Sequence, residues 1–120
     1  MKITWLGQAG LLFETEKATV MIDPYLSDSC GKINPKSHRR VPVDESLFDI
    51  KPDVVIFTHN HLDHYDPETV SHFITDKSKV TVLSPKSVWD DVKPILQATL
   101  LVIPALVSKE IVTAMALREA

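Results

Sequence analysis

Residues 54 to 64 read Val-Val-Ile-Phe-Thr-His-Asn-His-Leu-Asp-His. The first four form a continuous apolar run with β-branched members, which is typical of a strand covered on both faces. The polar residues begin at Thr58, where this strand must end. Open α/β sheets place their sites in the crevice beyond the carboxyl ends of the strands. The stretch therefore predicts a buried strand with a functional site at its rim.

The residues before this strand predict another strand and a β-hairpin. Strand-like residues run from Lys2 to Leu6 and are followed by the turn sequence of residues 7–10. Residues 11–13 and 19–22 then flank a polar connection, the pattern of a hairpin. Periodicity disappears between residues 23 and 49. A loop of this length inside one domain is typically functional or mobile.

Helices alternate with strands on the carboxyl side. Residues 66–68 supply an N-cap, a proline at the first helical position and an acid in the first turn, which predicts a helix of about three turns. Residues 79–83 are strand-like, and residues 84–85 begin a second helix that Pro94 limits. Residues 100–103 predict one more strand. This order indicates an α/β fold whose late strands are parallel and buried.

Length and composition predict a single domain over residues 1–120. The chain is 44% hydrophobic and 24% charged, as a packed core requires. Its net charge of -3 provides no general basic field for nucleic acid or a membrane surface, so neither partner is favoured. The single cysteine, Cys30, cannot form an internal disulfide, and we give it no role. No leader or bilayer-spanning run of roughly 20 apolar residues is recognisable, which predicts a cytoplasmic protein.

Four metal-ligand side chains lie within residues 59–64: His59, His61, Asp63 and His64. Residues two apart on an extended segment point to the same side, so His59 and His61 can share one ion. Asp63 and His64 follow, where a turn can aim them at a second ion. The alternative is a histidine-rich surface loop, but such crowding has no packing rationale. Imidazole and carboxylate ligands suit zinc, manganese or iron without discriminating among them, so we predict one or two divalent ions.

Residues 58–64 match the Thr-His-x-His-x-Asp-His hallmark of the metallo-β-lactamase superfamily, which the chain therefore resembles. Residues 5–10 and 20–25 resemble more narrowly the branch that contains L-ascorbate-6-phosphate lactonase and related metal-dependent hydrolases. The similarity covers residues 1 to about 92, whereas the tail at 93–120 is not matched. The resemblance implies an α/β fold that forms the N-terminal half of an αββα metallo-β-lactamase sandwich.

The resemblance also implies roles for individual residues. It places His59 and His61 on a first ion and Asp63 and His64 on a second, and it favours manganese alongside zinc. Asp23 resembles the family acid that braces the ligand loop, although a turn-forming Asp explains it equally well. Gln8 either lies near the metals, as in this branch, or is an ordinary turn residue.

The function implied by the resemblance is metal-dependent hydrolysis. A metal ion lowers the pKa of bound water, hydroxide attacks a carbonyl or phosphoryl centre, and Asp63 acts as a catalytic residue that orients the nucleophile. The branch implies a phosphorylated sugar lactone as the small-molecule substrate, with a phosphodiesterase or nuclease as the enzymatic alternative. Family members are longer, and their second half supplies ligands without a counterpart here. A non-catalytic, self-associating fragment is thus the other alternative, ahead of a metal sensor or storage module.

Several basic residues have simpler interpretations. Lys36, His38, Arg39 and Arg40 either gather a phosphorylated substrate or provide ordinary solubilising charge, and the second interpretation is favoured. His72 is predicted to lie on the solvated surface of its helix.

Apolar residues outside the motif predict the core and an oligomer. Trp5, Phe57 and Trp89 fall in strand or amphipathic patterns and are predicted to be core residues. The apolar segments at 100–103 and 111–117 carry more hydrophobic surface than one small sheet can bury. We therefore predict a homo-oligomer.

Overall fold

The computed structural model describes residues 1–96 and 103–104, and these residues contain one sheet of six strands. The strands are β1 (Lys2–Trp5), β2 (Leu11–Glu14), β3 (Thr19–Ile22), β4 (Val54–Ile56), β5 (Thr81–Ser84) and β6 (Ile103–Pro104). The helices are α1 (Ser29–Ile33), α2 (Pro67–Phe73) and α3 (Lys86–Leu96). Two short 3-10 helices, Pro35–Ser37 and Glu45–Asp49, lie between α1 and β4. No helix of this part of the chain is long and apolar enough to cross a membrane.

The sheet changes from antiparallel to parallel at β3. Strands β1, β2 and β3 pair antiparallel in chain order, and β3, β4, β5 and β6 pair parallel. In the central register, Met21 of β3 pairs with Val55 of β4, and Val55 pairs with Val82 of β5. The predicted hairpin, parallel late strands and α/β fold class are confirmed. Residues 100–102 and the apolar segment at 111–117 lie outside the described residues, as does most of the 93–120 tail.

The central strands carry apolar side chains on both faces. One face belongs to the main core, where Met21, Val55 and Val82 pack with side chains of the helices. The helical members of this cluster are Val70, Phe73, Val88 and Val92. The opposite face carries a second cluster formed by Val20, Ile56 and Leu83. Two apolar faces explain why residues 54–57 form a continuous rather than an alternating hydrophobic run.

The helices and one aromatic side chain depart from expectation. Helix α2 is shorter than three turns because Ile74 is already extended, and α3 continues through Pro94 instead of ending there. The core prediction holds for Phe57, which is fully buried, but is wrong for Trp5, which is 60% exposed. Trp5 lies on β1, an edge strand with a single neighbour, so nothing in the sheet covers it from the other side.

His72 is exposed, as predicted, although its ring stacks on Phe48 with centroids 4.0 Å apart.

A buried carboxylate joins the long loop to α2. Asp66 is the N-cap of α2 and accepts hydrogen bonds from the backbone N–H groups of Glu68 and Thr69. It also accepts from the hydroxyls of Ser27 at 2.6 Å, Ser29 at 2.9 Å and Thr69 at 2.6 Å. Burial raises the pKa of Asp66, but these bonds outweigh burial and hold the pKa below its usual value. The charged carboxylate is therefore a tertiary link as well as a helix cap.

We expect Asp66→Ala to lower the free energy of unfolding by about 3 kcal/mol, because a cap is lost and buried hydroxyls lose their acceptor. Urea unfolding at pH 7 measures this loss. Since the folded-state pKa is depressed, the contribution of Asp66 is present above about pH 4 and disappears as pH falls through the folded-state pKa. Asp44→Ala removes an exposed cap of the second 3-10 helix and is the control, with a loss below about 1 kcal/mol. Equal losses in the two variants would contradict the buried link.

Candidate metal centre

The predicted ligand loop, residues 58–64, is held at both ends by buried aromatic side chains. Phe57 follows β4, and its ring packs edge-on against Tyr65, with centroids 5.0 Å apart. Within the loop, the backbone N–H groups of His64 and Tyr65 donate to the His61 carbonyl at 2.9 and 2.8 Å. The loop therefore turns back on itself at the carboxyl end of β4, where the sequence predicted a site.

Asp23 connects the end of β3 to both ends of this loop. Its backbone N–H donates to the Ile56 carbonyl, and its φ of 44° lies in the left-handed region that Asp tolerates better than most residues. One carboxylate oxygen accepts from the Thr58 backbone N–H at 2.8 Å. The other accepts from the Thr58 hydroxyl at 2.6 Å and from Nδ1 of His64 at 2.8 Å. Asp23 is only 3% exposed, so this side chain acts inside the protein.

These contacts fix the ring protons of two histidines. A carboxylate accepts hydrogen bonds, so His64 carries its proton on Nδ1. The Thr58 hydroxyl gives its single proton to Asp23, and it must therefore accept from Nδ1 of His59, 2.8 Å away. In the neutral form of each ring, Nε2 is then the nitrogen that offers a lone pair. This is the arrangement by which oxygen partners prepare imidazoles for metal binding.

The structure brings two of the predicted ligands, His59 and His64, into a cluster with Asp23 and places His61 and Asp63 beside it. Donor atoms of Asp23, His59 and His64 all lie within 4.8 Å of one another. The His59 ring is 4.5 Å from the His61 ring and 3.9 Å from the His64 ring, measured between centroids. Oδ2 of Asp63 is 3.7 Å from Nε2 of His64. Two donors on one tetrahedral ion, each about 2.1 Å away, are separated by about 3.4 Å, which lies within the 4.8 Å limit on the separations of the Asp23, His59 and His64 donors.

Gln8 reaches the cluster from the turn between β1 and β2. Its side-chain Nε2 donates to Oδ2 of Asp63 at 3.4 Å, and its backbone carbonyl accepts from Nε1 of Trp5 at 2.6 Å. Gln8 therefore lies near the candidate ligands, which is the first of the two interpretations given to it.

Arg39 is a structural clamp that the sequence did not reveal. Its Nε donates to the Val41 carbonyl at 2.6 Å, and its two terminal nitrogens donate to the carbonyls of Tyr25 and Leu6. The guanidinium also lies 5.7 Å from the centre of the Tyr25 ring. Three segments distant in sequence are thereby joined. The residues next to Arg39 in the sequence do not indicate that its partners are the carbonyls of distant residues. Only the tertiary structure assigns this role.

A cavity of about 570 Å³ lies beside the cluster. Asp63 and Gln8 line it from the side of the candidate ligands, and His38 and Arg40 line it from the long loop. Its volume falls within the range of small-molecule pockets, about 300–1,000 Å³.

The parallel sheet and the oriented histidine and carboxylate cluster at its rim define an α/β protein with a candidate divalent-metal centre. A family model described as the β-lactamase superfamily domain matches residues 2–110. The chain belongs to this family, in its metallo-β-lactamase form. The ascorbate-phosphate lactonase branch stays a prediction.

Relatives of the chain are longer proteins. A UPF0173 metal-dependent hydrolase from Methanosarcina mazei is 44% identical over 64 residues, which cover 53% of this chain and 23% of that protein. A UPF0173 protein from Pyrococcus abyssi is 32% identical over 89 residues, covering 74% of this chain and 33% of that protein. The chain thus matches about a quarter to a third of the length of these relatives.

Solved structures show the same fold. An isothiocyanate hydrolase from Delia radicum gut bacteria superposes with a TM-score of 0.61 at 23% identity, covering 88% of this chain and 41% of that chain. A metallo hydrolase from Ignicoccus hospitalis superposes with a TM-score of 0.54 at 20% identity, covering 86% and 38%.

We expect Thr58→Val to weaken zinc binding by about 10- to 100-fold, because His59 loses the oxygen that orients its ring and Asp23 loses a donor. Competition with a chromophoric chelator measures the affinity. Thr58→Ser keeps the hydroxyl and is the matched control, with affinity close to that of the unmodified chain. Equal zinc affinity in the two variants would show that the hydroxyl does not prepare the ligands.

Proposed function

We propose that this chain carries the metal-binding part of a metal-dependent hydrolase. The observation that carries the proposal is the orientation of His59 and His64, whose Nδ1 atoms are engaged by Thr58 and Asp23, which leaves Nε2 as the metal-donor atom of each ring. A surface loop of ordinary histidines has no need of such partners. Membership of the metallo-β-lactamase superfamily and the hydrolase names of the relatives support the same activity.

In this proposal His59 and His61 hold a first divalent ion, and Asp63 and His64 hold a second. Asp23 braces the loop through its bonds to Thr58 and His64 rather than serving as a main ligand. Both oxygens of its carboxylate are already engaged by these residues, which favours the bracing role. The ions are manganese or zinc, which this mixed nitrogen and oxygen donor set accommodates.

When bound, the metal supplies an acidified water and stabilises negative charge on the substrate oxygen. The chain contributes the positions of the groups around that water. Asp63 lies at the boundary between the ligand cluster and the cavity, and Gln8 donates to its Oδ2. We assign Asp63 the catalytic role of orienting the attacking nucleophile, with Gln8 holding the carboxylate towards the cavity.

The proposed substrate is a small molecule, most specifically a phosphorylated sugar lactone. The cavity volume suits a molecule of this class, and the basic residues on its far wall suit an anionic substituent. Phosphodiester hydrolysis remains the alternative activity. The acidic net charge of -3 weighs against a nucleic-acid substrate, since polyanions are gathered by basic surfaces.

Metal binding tests the proposed centre directly. We expect the double variant His59→Ala, His61→Ala to lose most bound manganese or zinc in elemental analysis and titration, because two nitrogen donors are removed. His72→Ala is the matched control, since His72 lies on α2 beside Phe48 and should leave metal content unchanged. Unchanged metal content in the double variant would overturn the assignment.

Activity of the 120-residue chain alone is expected to be low. It offers two of the proposed ligands to each ion, whereas catalytic zinc sites typically use three protein ligands. We expect turnover of phosphorylated lactones or model phosphodiesters slightly above background with added metal, and none in His61→Ala. Robust turnover that His61→Ala abolishes would refute the expectation that the 120-residue chain has low activity. Robust turnover that survives this substitution would refute the proposed site.

We further propose that the chain self-associates. Phe13, Ile22 and Val54 pack against the buried cluster of Val20, Ile56 and Leu83 but are themselves only partly buried, so this face leaves apolar surface for a second copy. Sedimentation should show a species larger than a monomer at micromolar concentration. A stable monomer that binds no hydrophobic dye would contradict this.

The predicted cytoplasmic location stays a prediction.

A further inference from the structure

The wall of the cavity opposite Asp63 is formed by the basic part of the long loop. Lys36, His38 and Arg40 all line the cavity, and all three are exposed. Lys36 and Arg40 have no ion-pair partner among residues 1–96. Lys36 and Arg40 thus place two unpaired positive charges on one wall of a cavity in a chain whose net charge is -3.

His38 is held in a defined position on this wall. Its Nδ1 contacts Oδ2 of Asp28 at 2.5 Å. The hydrogen bond from the Arg39 backbone N–H and the contact with His38 lower the pKa of Asp28, so its carboxylate acts as the acceptor. The ring proton therefore lies on Nδ1. Among the described residues, Nε2 of His38 has no hydrogen-bond partner and is available to a ligand.

Gly31 makes room for this pair. A Cβ atom at position 31 would lie 2.3 Å from Nδ1 of His38 and 2.5 Å from Oδ1 of Asp28. The histidine and the carboxylate thus pack directly on the backbone of α1, in space that a Cβ atom at position 31 could enter only if they moved aside.

The loop that carries these groups is fixed before any ligand arrives. Arg39 uses its guanidinium on three backbone carbonyls, so it serves the loop and not an anion. The Asn34 side chain accepts from the Lys36 backbone N–H at 3.1 Å and begins the first 3-10 helix. Fixing a binding loop in advance reduces the entropy cost of binding.

We propose that Lys36, His38 and Arg40 form a subsite for a phosphate monoester on the substrate. The subsite rests on the proposed function, since it holds the anionic end of a small molecule whose reacting part lies towards Asp63. Lys36 and Arg40 supply charge, and Arg40 also presents a fork that matches phosphate oxygens. His38 Nε2 accepts a hydrogen bond from the hydroxyl of the monoprotonated phosphate. Arg39, although adjacent, makes no contact with the ligand.

Phosphate binding to the isotopically labelled, metal-free chain tests the subsite by NMR at constant ionic strength. With inorganic phosphate, we expect saturable shifts at the amides of residues 36–40 and at the His38 ring. The double variant Lys36→Gln, Arg40→Gln should bind about tenfold more weakly, as expected for the loss of two surface charge contacts. Lys77→Gln, Lys79→Gln is the matched control, because it removes the same charge from a different cavity and should change the affinity less than twofold.

Binding of related phosphate compounds tests which class of phosphate monoester the subsite accepts. Glucose 6-phosphate should shift the same loop and also the side-chain amide of Gln8, whereas glucose should shift neither. Tighter binding of adenosine 5′-monophosphate than of glucose 6-phosphate would overturn the sugar assignment. His38→Ala, which leaves both cations in place, should weaken phosphate binding severalfold by removing the Nε2 contact.

The subsite is refuted if phosphate shifts centre on residues 59–64, if they do not saturate, or if both double variants weaken binding equally. These measurements need no metal, so they separate the two proposals. Phosphate binding at residues 36–40 together with intact metal content in His59→Ala, His61→Ala would leave the subsite and overturn the metal centre. Metal binding without phosphate binding would leave the metal centre and overturn the subsite.

Discussion

Asp23 is the point at which the sheet, the ligand loop and the candidate chemistry meet. Its backbone joins the end of β3 to β4, and its carboxylate accepts three hydrogen bonds from Thr58 and His64. Because the carboxylate is buried, these bonds are shielded from competing water and each is costly to leave unmade. The orientation of His59 follows indirectly, through the Thr58 hydroxyl. Loss of this one carboxylate would release both rings.

The long loop is organised by two other polar centres of the same kind. Asp66 gathers hydroxyls from the start of the loop and fixes them to α2, while Arg39 ties its later part to the turn after β1. Both centres replace the hydrophobic contacts that a polar loop cannot make, since buried polar groups are stable only when they are paired. The cavity between Asp63 and the basic loop has fixed walls for this reason.

Individual elements show which features of the fold the sequence predicts and which it does not. The continuous apolar run at 54–57 predicted a strand buried on both faces, and Val55 and Ile56 do lie in separate apolar clusters. The cap signal at Asp66 predicted α2 correctly, but its length was wrong because helix ends depend on where the chain must join the core. Trp5 was misplaced for a related reason: periodicity identifies a strand and does not tell whether it lies at the edge of the sheet.

The sequence by itself determined the α/β class, the strand that ends at the ligand loop and the close spacing of His59, His61, Asp63 and His64. These are local properties, fixed by side-chain periodicity and by residues a few positions apart. Only the tertiary structure decided which side chains contact those candidate ligands and which basic residues line the cavity. Asp23 and Thr58 are 35 residues apart, and Arg39 and Leu6 are 33 apart. No local pattern encodes such partners, because they meet only when the parallel strands align and the loop closes over their ends.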